Sequence, residues 1–252
     1  MKKIKLLTVA IATLIVGTLL VGCGDKNTSK TYLIATDSKY APFSFEENGK
    51  YKGIDVEVLE AVAKEVGFDY ELKPMDFTGI IPGIASNQID GAIAGMSITD
   101  TRKESLDFSE GYFESGLSIV VKGDNTTIKG VEDLNGKTVA VKKGTDGEKW
   151  ALENKDKYNL NVKHFEDSPT IFLEVQGGNS DCSLDDYPVV AYKIKVDASN
   201  EVKIVGDKVS TTNYGFAVNK GENKELMDKF QVGLKAIKEN GKYDEILSRY
   251  IK

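Results

Sequence analysis

Apolar residues recur along residues 53–66 at Ile54, Val58, Leu59, Val62 and Val66, the spacing of a helix with one buried face, and Gly67 supplies a left-handed stop. Before this helix, residues 32–36 form a short, mostly apolar run that reads as a strand. After it, residues 68–73 read as a strand, residues 78–86 as a helix with Pro82 in its first turns, and residues 91–96 as a third strand. β and α segments alternate, which predicts an α/β fold with a largely parallel sheet.

A second unit with the same grammar begins near residue 122. A short helix is expected at 131–134, strands at 138–141, 162–165 and 182–184, and helices at 145–154 and 168–176. The repetition extends to individual residues. Residues 80–95 run helix, Ser86-Asn87-Gln88, Asp90, apolar strand, Gly95; residues 171–186 run helix, Gly177-Gly178-Asn179-Ser180, Asp181, strand, Asp186. Aligned on Asp90 and Asp181, the strand ends Gly95 and Asp186 coincide. Open α/β sheets gather ligands at the carboxyl ends of their strands, so two such lobes face to face define a cleft. The tail adds strands at 202–205 and 214–218 and helices at 224–240 and 243–250, without a chemical motif.

The N-terminus has three lysines before an apolar run over residues 6–21, then Gly22-Cys23. This basic region, apolar stretch and small residue before cysteine predict a lipoprotein signal over residues 1–22, with Cys23 acylated and residues 23–30 a polar tether. The apolar run is shorter than the roughly 20 residues a membrane span prefers. Removing residues 1–22 moves the formal charge from -6 to about -9, an acidic body that argues against nucleic acid and an anionic membrane surface as partners. Lipidation of Cys23 would leave Cys182 as the single cysteine, read as a small buried strand residue, with no intrachain disulfide possible.

Candidate chemistry lies at strand ends and loop starts: Asp37, Arg102, Lys142 and Asp186, with the aromatic rings of Tyr40 and Phe77 beside two of them. Arg102 follows Gly95, Ser97 and Thr99 at an expected helix start, where the positive end of the helix disfavours a cation and calls for a compensating anion. One arginine for a carboxylate and one aspartate for an ammonium, drawn from different lobes, would recognise an α-amino acid. Each residue also has a plainer reading. Arg102 could be a solvated surface residue, Asp186 a turn aspartate before Tyr187-Pro188, and Tyr40 and Phe77 core. The Lys143-Gly144-Thr145-Asp146-Gly147 stretch could be a helix cap, or could offer N–H groups to the same carboxylate.

These residues resemble the extracytoplasmic amino-acid-binding proteins of ABC importers. The resembling passages are Ile34-Ala35-Thr36-Asp37 with Tyr40-Ala41-Pro42-Phe43, Gly53-Ile54-Asp55-Val56, Glu71-Leu72-Lys73-Pro74-Met75-Asp76-Phe77-Thr78-Gly79-Ile80-Ile81-Pro82, Ile98-Thr99-Asp100-Thr101-Arg102, Asp107-Phe108-Ser109, Val139-Ala140-Val141-Lys142, Asp186-Tyr187-Pro188 and Glu239-Asn240-Gly241. The resemblance covers everything after residue 30 and is greatest to glutamine-binding members. It implies a type II periplasmic-binding-protein fold: lobe 1 from residues 31–113 and 212–252, lobe 2 from 114–211, and crossing hinge strands at 112–116 and 210–214. It further implies a monomer that closes on an amino acid and docks on a permease, without cofactor, metal or catalysis.

By the same resemblance Arg102, Gly95 and Ser97 would hold the ligand carboxylate, Asp186 with Gly95 the ammonium, and Tyr40 and Phe77 the aliphatic part. Asp37 and Lys142 would read the side chain. An acceptor facing a donor suits the amide of glutamine better than arginine or lysine, whose cation would meet Lys142, so glutamine is the expected ligand, while Asp37 keeps the basic amino acids open. Asp146, in a loop where a neutral residue is usual, Asp185, where the glutamine-binding members carry histidine, and Cys182-Ser183, where a more apolar strand is usual, depart from the pattern. The rival readings are a dehydratase on the same fold and a sensor domain. The first needs a titratable group aimed at a reacting bond, and Asp185, its one candidate, has no visible partner.

Overall fold

The computed structural model describes residues 30–197, 199 and 201–251; the expected signal, Cys23 and all of the tether but Lys30 lie outside the described residues. The chain runs through β1 (Thr31–Asp37), β2 (Lys39–Tyr40), β3 (Ser44–Glu47), β4 (Lys50–Lys52), α1 (Ile54–Val66), β5 (Asp69–Met75) and α2 (Phe77–Ala85). It continues with β6 (Gly91–Ala92), α3 (Asp100–Lys103), β7 (Leu106–Phe108), β8 (Phe113–Ser115) and β9 (Leu117–Lys122). After a 3-10 turn at Val131–Leu134 follow β10 (Thr138–Lys142), α4 (Asp146–Glu153), β11 (Asn161–Phe165), α5 (Ser168–Gln176), β12 (Cys182–Asp186) and α6 (Tyr187–Val196). The remainder is β13 (Val202–Val205), β14 (Thr212–Tyr214), β15 (Ala217–Asn219), α7 (Lys224–Glu239) and α8 (Lys242–Tyr250).

Two five-stranded sheets result, in the orders β5-β1-β6-β15-β7 and β11-β10-β12-β9-β13, with β8 and β14 pairing as a separate antiparallel ribbon. Each lobe is an α/β layer with helices on both faces, as the alternation predicts. Neighbouring strand residues therefore enter different apolar clusters: Ile34 packs toward α1 and α7 while Ala35 packs toward α2, and Val120 parts in the same way from Ile119 and Val121. At the ribbon Phe113 and Tyr214 stack on each other and Phe43 meets both edge to face, with ring centroids 4.9 to 5.9 Å apart.

The internal repeat is physical. Asp90 Oδ2 accepts from the Leu33 N–H and Asp181 Oδ2 accepts from the Thr138 N–H, so the two aspartates tie equivalent strands at equivalent places. Two expectations are corrected. The strand expected over 91–96 ends at Ala92, because Gly95 turns left-handed (φ 53°) against Tyr40, whose ring would lie 2.5 Å from any Cβ there. The strand expected over 214–218 is two, β14 in the ribbon and β15 in the first sheet, parted where Gly215 packs against Ile98 and Phe108. Residues 187–196, for which the sequence pattern predicts no element, form helix α6, with proline in its first turn.

Candidate functional site

The carboxyl ends of both sheets converge. β1 delivers Asp37, the turn after β6 delivers Gly95 and Ser97, and β2 brings Tyr40; from the other lobe β10 ends in Lys142 and β12 in Asp185 and Asp186. Helix α3 is a single turn, capped by Thr99 Oγ1 accepting from the Arg102 N–H at 3.2 Å, and it aims the arginine inward. Asp37, Tyr40, Phe77, Ser97, Arg102, Lys142, Asp185 and Asp186 are all buried. The residues singled out from sequence are thus brought together, and Thr145 and Asp146 flank them, half-buried, at the start of α4.

Arg102 does meet negative charge. Its Nη1 donates to the Ser97 carbonyl at 2.8 Å, its Nη2 donates across the cleft to the Gly144 carbonyl at 2.9 Å, and Asp146 Oδ1 lies 3.8 Å from Nη1. The Asp146 side chain therefore points inward, toward the guanidinium. The N–H groups of Lys143, Gly144 and Thr145 are bonded to Phe165, Glu148 and Lys142, so this loop offers none of them to an anion; Thr145 caps α4 and donates to the Lys142 carbonyl.

Asp186 stands at the N-cap of α6 yet caps nothing. The hydroxyl of Tyr40 (2.5 Å) and that of Tyr214 both donate to its Oδ2. Burial holds both phenols well above their ordinary pKa, so both stay protonated donors. Burial, then the neighbouring charge of Asp185, push the Asp186 carboxyl up to about 7, while the two hydroxyls pull it down. Among the described residues no group donates to Asp186 Oδ1. The plain turn role is thereby corrected: Asp186 is a buried carboxylate with one oxygen saturated.

Asp37 and Lys142 form a buried ion pair with each other, 105 residues apart in sequence. The Lys142 ammonium lies 4.5 Å from the Tyr40 ring centroid and 5.3 Å from that of Phe77, so between these rings sits a lysine of the protein itself. Gly95 is half spent: its N–H donates to Asp55 Oδ2 at 2.7 Å, which leaves its carbonyl, a group suited to an ammonium and not to a carboxylate.

Sequence reasoning passed over Asp55, Tyr112 and Tyr214. Asp55 is fully buried, accepts from Gly95 and from the Tyr112 hydroxyl at 2.6 Å, and is driven by burial to about 7. An acidic residue on the apolar face of α1, in line with Val58, Leu59 and Val62, was the available signal. Tyr214 reaches the site only through the fold and carries no local signal. Cys182 is buried in β12, its thiol pushed up to about 12 by burial, as expected of an inert strand residue. Among the described residues no group of acids, histidines and cysteines could hold a metal, and no helix is long and apolar enough to cross a membrane.

Residues 32–252 match the profile of the bacterial extracellular solute-binding proteins, family 3. A probable amino-acid-binding protein of Bacillus subtilis, YxeM, is 33% identical over 239 residues, which are 92% of this chain and 89% of that protein. An ancestral arginine-binding protein solved bound to arginine superposes with a TM-score of 0.83 at 41% identity, covering 88% of this chain and 98% of the other. An ancestral arginine-binding protein solved bound to glutamine gives 0.81, also at 41% identity, over 88% and 97%.

Proposed function

The chain belongs to the bacterial extracellular solute-binding proteins, family 3, and from that premise we propose that it captures a polar L-amino acid between its lobes, arginine first, and delivers it to an ABC permease. The carrying observation is the division of labour at the cleft: Arg102 on one lobe and Asp186 on the other, each already hydrogen-bonded across to the opposite lobe. Arg102 would take the α-carboxylate in its planar fork. Asp186 Oδ1 and the Gly95 carbonyl would take the ammonium. Such a ligand touches both lobes only when they are closed, and so shifts the population toward closure. The β8–β14 ribbon is the proposed hinge, between a jaw of residues 31–113 with 212–252 and a jaw of 114–211.

Charge selects among amino acids. When ionised, the site's four acids, Asp37, Asp146, Asp185 and Asp186, outnumber its two cations, Arg102 and Lys142. A zwitterion's own charges cancel and leave that excess standing, whereas a cationic side chain reduces it. The same preference agrees with the arginine-bound relative. Glutamine is the second reading: Asp37 can accept from an amide and Lys142 can donate to one, and a relative of equal identity was solved with it. A membrane tether through Cys23 and a monomeric state complete the proposal. Catalysis is no part of the proposal.

A thermal-shift screen of the twenty amino acids tests the reading, with arginine expected to give the largest shift, lysine and glutamine smaller ones, and apolar amino acids none. A screen without any hit sinks it. Asp146 competes with the ligand carboxylate for Arg102, so Asp146→Ser is expected to tighten glutamine binding by roughly three- to tenfold in calorimetry. Unchanged affinity would show that Asp146 does not compete with the ligand for Arg102.

A further inference from the structure

Lys142 has two acidic neighbours and is bonded to one of them. The register of β10 with β12 pairs Val141 with Leu184, so one residue further Lys142 stands beside Asp185, on the same face of the sheet. On its other side Asp185 is paired with Ser118 of β9, and the start of α5 lies over it at Ser168. Asp185 is 94% buried by its 6% exposure; its Oδ1 accepts from the Asp186 N–H at 2.8 Å, and its Oδ2 is buried without a hydrogen-bond partner. Ser168 lies near enough to stabilise the carboxylate but makes no bond of ordinary geometry with Oδ2, and the Ser118 and Ser168 hydroxyls are themselves unpartnered. A buried carboxylate oxygen without a donor is costly, and the nearest cation by register is the Lys142 ammonium.

The pairing within the site explains what such an oxygen could be for. A ligand with a cationic side chain needs Asp37, and taking it from Lys142 would strand a buried ammonium between two aromatic rings. We infer that Asp185 is a second seat for the Lys142 ammonium: a cationic ligand takes Asp37 while Lys142 swings to Asp185 Oδ2, and a neutral amide ligand leaves Lys142 near Asp37. Lysine's flexible four-carbon stem and freely turning ammonium permit such a swing. One buried pair becomes two, and no charge is left alone. Asp185 is thus a specificity-determining residue that acts through Lys142 and not on the ligand. This rests on the amino-acid-binding reading above.

Calorimetric affinities for arginine and glutamine, measured on the wild type, Asp185→Asn, Lys142→Met and the double variant, test it. Asp185→Asn is expected to weaken arginine at least tenfold and glutamine less than threefold; in the Lys142→Met background the same change is expected to alter arginine affinity less than threefold. Equal losses for both ligands, no loss for arginine, or a tenfold loss that persists without Lys142 each overturn the second seat. So does a wild type that binds glutamine and not arginine. A wild type that binds no amino acid overturns instead the reading beneath it. Circular dichroism checks the fold, and Asp185→Ser carries the same comparison should the asparagine variant not fold.

Discussion

Replacing Arg102 by alanine is expected to cost roughly 2–5 kcal/mol of ligand binding, a loss of about thirtyfold to several-thousandfold, because it strands the ligand carboxylate in a site rich in acids. The fold should survive. The cap of α3 is made by Thr99 to the Arg102 backbone N–H, which alanine keeps, and the side chain's own bonds are two, to the Ser97 and Gly144 carbonyls. Circular dichroism should therefore match the wild type while calorimetry shows little or no heat. Arg102→Lys sharpens the test, since it keeps the charge and loses the fork. If lysine binds as tightly as arginine, the site needs only a positive charge there and the proposed bidentate geometry is wrong. If alanine itself retains near-wild-type affinity, the carboxylate is held elsewhere and the orientation of the ligand must be reversed or abandoned.

The same residue shows how far the sequence alone could be read. Arg102 stood out through a local conflict, a cation in the first turn of a helix, and local conflicts are visible without a fold. So are periodicities. Helix α1, the strands β1, β10 and β11 and the helices α5, α7 and α8 follow from spacing and caps, and the repeat aligned on Asp90 and Asp181 appears in the structure as matched strand ties. What escaped depends on chain segments far apart. Tyr214 meets Asp186 and Ser115 only because β14 crosses beside β8, and no pattern around residue 214 announces it. The types of Asp37 and Lys142 were legible as an acceptor and a donor; that they satisfy each other was not, since mutual pairing is a matter of distance. Helix α6 was lost for the opposite reason. Asp186-Tyr187-Pro188 carries both turn and helix-start chemistry, and only packing decides between them.

Asp186 is the acid on which a pH dependence should turn. Its folded-state value near 7, raised by burial and by Asp185, means that the free protein is partly protonated there at neutral pH. Only the ionised form can hold an ammonium, so affinity is expected to rise as pH increases through about 7 and to fall below it by up to about tenfold per pH unit. Between pH 8 and pH 5.5 the wild type should lose about tenfold or more, with proton release on binding near neutrality seen as a buffer-dependent heat. The stability of the ligand-free protein should run the other way. The native state binds this proton more tightly than the unfolded chain, whose carboxyl has the ordinary value of 3.8, so stability falls as pH rises from about 4 toward 7. Asp55, raised to about 7 by burial, adds in the same direction. The free protein should accordingly melt a few degrees higher at pH 5.5 than at pH 8, an order-of-magnitude expectation for one or two such groups, and the stabilisation conferred by ligand should be larger at pH 8. Asp186→Asn separates the two acids. It keeps an oxygen for the Tyr40 and Tyr214 hydroxyls and removes the charge, so binding at pH 8 should drop about a hundredfold and become nearly flat with pH. Part of the melting-point slope should remain, carried by Asp55 and by Asp185, whose carboxyl burial also raises. An Asp186→Asn variant that binds as the wild type does, or that keeps the full pH dependence, would move the ammonium site away from β12.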